Sequence, residues 1–434
     1  MTDDTSGAGG DCAGMTRRGM LALAGASAIA GCGSIGNTGG EPTIDAYDLP
    51  DIRRDEELES PVPPAVPVDV ATSHFEAARE RVHSLLATLP TPLGPDEVPN
   101  GHVRQHLTDA ASTASDGLDE ARTARTGLVA LRDLRSAREH ARYAAAGWSV
   151  VDRGRTDAPF REEHSRTVLA AREARQAHEY VGTDPVRAAL VHARIETGLR
   201  RADQTDGAPR ADSELLAVAE WGERAESAQA YLDNARHLGS QFEAALPADV
   251  GTLESVLADG AQTLLAAVRD RREALPPEGT AGDRTPGRMV LEDLRWEAES
   301  GTSSLSEAIG PASAVVDATG RLAQFRALER IGTRREADEL ARPTSAAAIR
   351  DIRRTARDAL TAALESSARP ELVRTILVDA GYKVMGADRH LSQHRGAVSV
   401  SALDRSVAGY WHATALARAA PPAARQAVQA LKSG

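Results

Sequence analysis

His102 and His106, and again His390 and His394, stand four residues apart. On a helix that spacing puts both rings of a pair on one face, where two imidazoles can share one metal ion. If the two helices met, four rings would close a site. Glu80 and His83 add half of the doubled Glu-x-x-His arrangement with which helical bundles hold two metal ions, without a second copy. The surroundings argue against a metal. His102 follows the Pro99-Asn100-Gly101 loop, and neither pair has a cysteine or a Glu-x-x-His partner nearby. No metal ligand and no cofactor is therefore assigned. The two thiols, Cys12 and Cys32, both precede residue 33, so the rest of the chain has no disulfide, no thiolate chemistry and no Cys–Cys spacing for zinc or iron–sulfur clusters.

Other catalytic signatures are missing. The sequence has no Gly-rich phosphate loop, His-Glu-x-x-His helix, Gly-x-Ser-x-Gly elbow or EF-hand loop. The glycines at 7–14 do not follow a strand pattern, which excludes a dinucleotide turn. Carboxylates are abundant but alternate with arginine, as in Arg161-Glu162-Glu163 and Arg334-Arg335-Glu336, the pattern of a solvated, ion-paired face. No catalytic residue is assigned, although active sites need no linear motif.

The chemistry that the spacing does support is at Cys32. Residues 16–32 read TRRGMLALAGASAIAGC. The pair Arg17-Arg18 precedes an apolar run from Met20 to Ala30 that is too short to span a bilayer. Thr16-Arg17-Arg18-Gly19-Met20-Leu21 resembles the core of a twin-arginine export signal. Ile29-Ala30-Gly31-Cys32 resembles a lipobox, in which small residues fit a peptidase and the thiol accepts lipid. The resemblance covers 16–32 and implies export, cleavage before Cys32 and a lipid anchor there, on the outer face of the cell membrane. Met1 and Met15 are both candidate starts.

Composition sets the class of the remainder. Of 434 residues 41% are hydrophobic but only 3% aromatic, and the apolar content is mainly Ala and Leu. Sheets lean on Val, Ile and aromatic side chains, so this balance favours helices. A net charge of −12 argues against nucleic acid, which is held by a basic face. Lys383 and Lys432 are the only lysines, so nearly every cation is arginine. Together with the signal and lipobox, the Arg-, Ala- and Asp-rich body resembles exported lipoproteins of halophilic archaea. That resemblance implies a two-chain ether lipid on Cys32, which anchors more firmly than a single chain.

Three segments follow: a signal peptide over 1–32, a disordered Gly/Asp/Pro tether over 33–68, and an all-α body over 69–434. The tether ends in Pro61-Val62-Pro63-Pro64-Ala65-Val66-Pro67 and carries too little apolar surface to order itself. In the body, Ser73-His74-Phe75-Glu76 predicts a capping box opening a helix to about Leu89. A longer helix reaches Val151, with breaks expected at Gly117 or Gly127. Asp184-Pro185 and Thr285-Pro286 read as N-cap plus first-turn proline. Trp221, Ala225, Ala228, Leu232, Ala235, Leu238, Phe242 and Ala245 form a near-heptad stripe within a helix over Asp212–Leu246, and Ile349 to Leu364 repeats the pattern. The alternating run Val398-Ser399-Val400-Ser401 is assigned to a helix. Joints are expected at 202–211 and 276–287, and no internal repeat period is visible.

The expected fold is therefore long antiparallel helices in one or two bundles. The expected role is non-enzymatic binding or scaffolding at the cell surface, with the membrane and an extracytoplasmic protein as partners. The alternatives are a metal- or cofactor-binding bundle and, ranked lower, the solute-binding component of a transporter.

Overall fold

Alanine and leucine at spacings of three and four commit most of the chain to helix. In the computed structural model, residues 41–50, 52, 59–204, 209, 211, 213–277, 284–300 and 309–433 are described. They form α1 (Thr72–Leu86), α2 (Gly101–Thr123), α3 (Gly127–Arg153), α4 (Ala158–Gln176), α5 (Pro185–Asp203) and α6 (Glu214–Ala244). After a short link come α7 (Glu254–Glu273), α8 (Pro286–Ser300), α9 (Pro311–Glu336), α10 (Ala346–Glu365), α11 (Pro370–Leu391) and α12 (Asp404–Ser433). The all-α expectation holds. Asp184 caps α5 by accepting from the Arg187 amide at 2.9 Å, and Thr285 accepts from the Arg288 amide at 3.3 Å at the start of α8. Of the two expected breaks, the one at Gly127 is real. Gly117 lies inside α2, where an added Cβ would come within 3.2 Å of Ala137 Cβ, so this glycine serves a close α2–α3 crossing.

The stripe on α6 is buried from Ala225 to Phe242, with Trp221 half-buried and Ala245 exposed at the end. Away from this stripe α6 also buries Leu216, Ala219 and Ala230, which makes it a central helix and not a one-faced one.

Three expectations are corrected. Ser73 does not open α1: the helix starts at Thr72 with Ala71 as N-cap and no side-chain cap. The Ala71 amide instead donates to His237 Nε2 of α6 at 3.1 Å, so a tertiary contact sets the boundary. The run at 398–401 is not helical. Ala397–Ser399 forms a strand, β2, antiparallel to β1 (Thr43–Asp45), with Ile44 opposite Val398. Alternation buries these two side chains and exposes Thr43, Asp45 and Ala397 to solvent.

The third correction concerns the tether. Its second part packs on the body, with Ile44, Leu49, Ile52 and Val62 in the core. Prolines leave carbonyls without local partners, and body side chains satisfy them. Arg350 donates to Asp48 O at 3.1 Å, Arg125 to Ser60 O at 2.9 Å, Thr126 to Pro64 O at 2.6 Å and Arg187 to Pro67 O at 3.1 Å. Residues 59–68 form a strap across the body. Residues 33–40, 51 and 53–58 of the expected tether lie outside the described residues, as do 205–208, 210 and 278–283 within the two expected joints.

Among the described residues six α-helices precede the link at 250–253 and six follow it, and their main contacts run in the same order. In the first, α3 packs on α1, α2 and α6, while α6 also carries α4 and α5, which touch each other. In the second, α9 packs on α7, α8 and α12, while α12 also carries α10 and α11, which touch each other; α12 packs on α7 and α8 as well, which α6 does not match with α1 and α2. The touching pairs α4–α5 and α10–α11 each carry an Arg–Asp ion pair, with the arginine near the end of α4 in one and near the start of α10 in the other. Arg175 of α4 meets Asp203 of α5 at 2.8 Å, and Arg353 of α10 meets Asp388 of α11 at 2.8 Å. Asp203 and Asp388 lie equally far from the prolines that open their helices, Pro185 and Pro370.

The halves are joined mainly through α5, which packs on α9. Val186, Ala189, Leu190 and Ala193 enter the core of the second half, and Ala188, Val191, Ile195 and Leu199 enter that of the first. Glu196 of α5 seals this seam by accepting from the amides of Ala312 and Ser313, at 3.1 and 2.7 Å, at the start of α9. The corresponding seam, between α11 and α3, is not closed in this way.

Candidate functional site

The open seam is a cleft of about 490 Å³, inside the range of small-molecule pockets, roughly 300–1,000 Å³. Four helices line it, each through residues at positions i, i+3, i+4 and i+7, the stripe that an α-helix turns to one side. From α3 come Leu128, Leu131, Arg132 and Arg135. From α5 come Arg194, Thr197, Gly198 and Arg201, and from α6 Tyr231, Asn234, Ala235 and Leu238. The second half contributes Thr375, Val378, Asp379 and Tyr382 of α11, and Pro64 of the strap closes one edge. Gly198 lets α5 and α6 meet as the floor, since a Cβ there would lie 3.0 Å from Ala235 Cβ.

Four arginines and one aspartate are the charged lining residues, in a protein whose overall charge is −12. Three of the arginines are already engaged. Arg132 pairs with Asp133 at 3.0 Å, Arg135 pairs with Glu139 and lies 4.6 Å over the Tyr231 ring, and Arg201 donates to Gln204 at 3.4 Å. Arg194 is different. Among the described residues no hydrogen bond or close ion pair holds it; Asp317 and Asp379 act on it only from a distance. Burial lowers the pKa of its guanidinium, and those two carboxylates only partly oppose the shift. Desolvation raises the Asp379 carboxyl, and the nearby Glu297 charge raises it further.

Behind Asp379, Glu297 of α8 is held by Lys383 Nζ at 2.7 Å and lies 3.3 Å from His412 Nε2. Burial works against its ionisation, but His412 and Lys383 outweigh burial and bring the carboxyl down to about 2. His412 is only 1% exposed, which makes this cluster an internal ion-pair node linking α8, α11 and α12.

The predicted histidine pairs do not converge. His102 and His106 are exposed on α2, their rings edge-on at 4.5 Å. His390 bonds the Ser406 hydroxyl at 2.9 Å, and α11 ends at Leu391, so His394 lies beyond the helix. The pairs belong to different halves, α2 packing on α1 and α3 and α11 on α10 and α12. Glu80 and His83 are both exposed on α1. Among the described residues no group of three or more potential ligands could hold a metal ion. Arg17, Arg18 and Cys32 lie outside the described residues. Sequence reasoning missed the cleft arginines, although each helical stripe was present to be found.

No helix among the described residues is long and apolar enough to cross a membrane. Neither a curated protein nor a solved structure matches the chain. Two family models do: residues 73–249 match a domain of unknown function, DUF8262, and residues 254–429 match a second, DUF8264. The boundary between the matches falls on the link between α6 and α7, so each six-helix half corresponds to one of these two domains.

Proposed function

We propose that this chain is a lipid-anchored extracytoplasmic binding protein, not an enzyme, whose ligand site is the cleft between the two halves. The observation that carries the reading is the cleft itself: a small-molecule-sized space walled by four helices, with converging arginines. Its lining has no histidine, cysteine or serine to act as nucleophile or base, and its one carboxylate, Asp379, stands without such a partner. Anchoring rests on Arg17-Arg18 and on Ala30-Gly31-Cys32 in the order and spacing of an export signal and lipobox. A cell-surface partner protein would then meet a body that presents its ligand between two domains.

The test is what the protein carries. Wild-type chain and a Thr375→Trp variant, which fills the cleft, are purified from native membranes, and small molecules released on denaturation are compared by mass spectrometry. A compound retained stoichiometrically by the wild type and lost from the variant is the expected result. Identical profiles would remove the cleft from consideration.

A further inference from the structure

We infer that the cleft binds an amphipathic monocarboxylate, with its carboxylate on Arg194 and its apolar body between α3, α6 and α11. The inference rests on the reading of the cleft as the ligand site and adds the class of ligand.

The sign of the charge comes from Arg194. Its guanidinium is only partly buried in the cleft wall and has no close partner among the described residues, an arrangement that an anion from outside can complete. Asp133 and Glu139 balance Arg132 and Arg135, while Arg194 and Arg201, whose partner Gln204 is neutral, face a single lining carboxylate, Asp379, so the unbalanced charge is about one unit. That suits a carboxylate better than a doubly charged phosphate monoester. The planar guanidinium fork also matches the two oxygens of a carboxylate.

The rest of the wall describes the body of the ligand. Leu128, Leu131, Leu238, Val378 and Ala235 offer aliphatic surface, and the Tyr231 and Tyr382 rings flank it. Tyr382 is 38% exposed and stands at the mouth. Such a lining favours an alkyl or aryl chain over a sugar or a second charged group.

The sealed seam supplies a comparison within the same molecule. There Glu196 of α5 reaches across to α9, so a carboxylate built into the chain joins the halves. The position on α11 equally far from its opening proline is Gly381, which packs against Ser60 and Val62 of the strap and offers no side chain. The open seam thus has an unengaged cation and lacks a corresponding acid. A ligand carboxylate would provide it.

The experiment is calorimetric titration of the purified full-length chain with octanoate, octanamide and octyl phosphate. Octanoate should bind saturably at one site. Octanamide, isosteric but neutral, should bind at least about tenfold more weakly, and Arg194→Gln should weaken octanoate by about tenfold to a hundredfold, as expected for a charge-assisted bond. Arg194→Lys should fall between the two. Thr375→Trp keeps Arg194 and should abolish binding, which covers the case that Arg194→Gln does not fold. Octanamide matching octanoate, octyl phosphate exceeding it, unchanged affinity in Arg194→Gln, or no saturable binding would each overturn the assignment. If a non-carboxylate compound is carried by the native protein and lost with Thr375→Trp, the cleft remains the ligand site and only the carboxylate assignment fails.

Discussion

Removing the carboxylate of Asp388 should be among the most damaging single changes in the second half. Asp388 is 0% exposed and takes both Arg353 donors, at 2.8 and 2.9 Å, together with the Tyr410 hydroxyl. Burial, and after it the Asp388 charge, hold the Tyr410 phenol protonated far above its usual range. Asp388→Ala removes a buried acceptor shared by the Arg353 guanidinium, the Tyr410 phenol and, at 3.6 Å, Arg357, a loss of about 3–5 kcal/mol. For a body of ~390 residues melting as one unit, an unfolding entropy of ~0.8 kcal/mol/K makes that about 4–6 °C in Tm. Asp203→Ala is the internal control. It removes the counterpart ion pair, but Arg175 is 43% exposed there. Solvent screens that pair, so the loss should stay within about 1 kcal/mol. Both variants are compared with the wild type by urea unfolding under circular dichroism and by calorimetry. Equal losses at the two positions, or a loss at Asp388 within about 1 kcal/mol, would refute the argument that burial, not the pairing, sets the cost.

Anchoring is checked by cell fractionation: Cys32→Ser should release the exported protein or leave it unprocessed, and Arg17-Arg18→Lys-Lys should keep it inside, whereas normal membrane attachment of Cys32→Ser would contradict the lipobox. Burial, and after it the neighbouring His192, lower His178 to about 4, while burial lowers His192 against its bond to the Val181 carbonyl. The unfolded chain therefore binds more protons between about pH 6.5 and 4, and stability falls as pH drops through that window; because His178 is partly exposed, the contribution is on the order of 1–2 kcal/mol. Acids with raised pKa, such as the buried Glu196 and the more exposed Asp317, act with the opposite sign, so the measurement is the difference in pH profile between wild type and His178→Gln, and identical profiles would exclude the histidine contribution. At the α3–α6 crossing a Cβ on Gly222 would lie 2.4 Å from Ala146 Cβ, so Gly222→Ala should cost about 1–3 kcal/mol in urea unfolding, and a neutral result would mean that the two helices separate freely.

Helix identity was legible wherever the determinant was local. Asp184-Pro185, Thr285-Pro286 and the α6 stripe carry their own caps and periodicity, and they are found where expected. What was not legible depends on partners distant in the chain. Val398 alternates like a strand, but its partner Ile44 is far away in sequence, so nothing nearby identifies the pairing. The strap looked unable to order itself because its carbonyl acceptors find donors only in Arg125, Thr126, Arg187 and Arg350. Arginine and acid runs read as a solvated face, yet Glu226 is 1% exposed and joins Arg81 to Arg138 across three helices. The correspondence of the halves lies in packing order and not in residues, which is why no period showed. For the same reason the cleft stripes on α3, α5, α6 and α11 were visible singly but not as one wall.

The pairing of β1 with β2 also has a consequence for how the molecule is made. A ribosome releases Thr43–Asp45 long before Ala397–Ser399 exist. The first strand must therefore wait, unpaired, through nearly the whole of synthesis. When it docks, the chain closes on itself like a buckled belt: the segment from Ile44 to Ile52 enters the last domain made, and the strap then leads across to begin the first. Neither domain can peel away without opening that buckle, so shortening the chain from either end should loosen both at once.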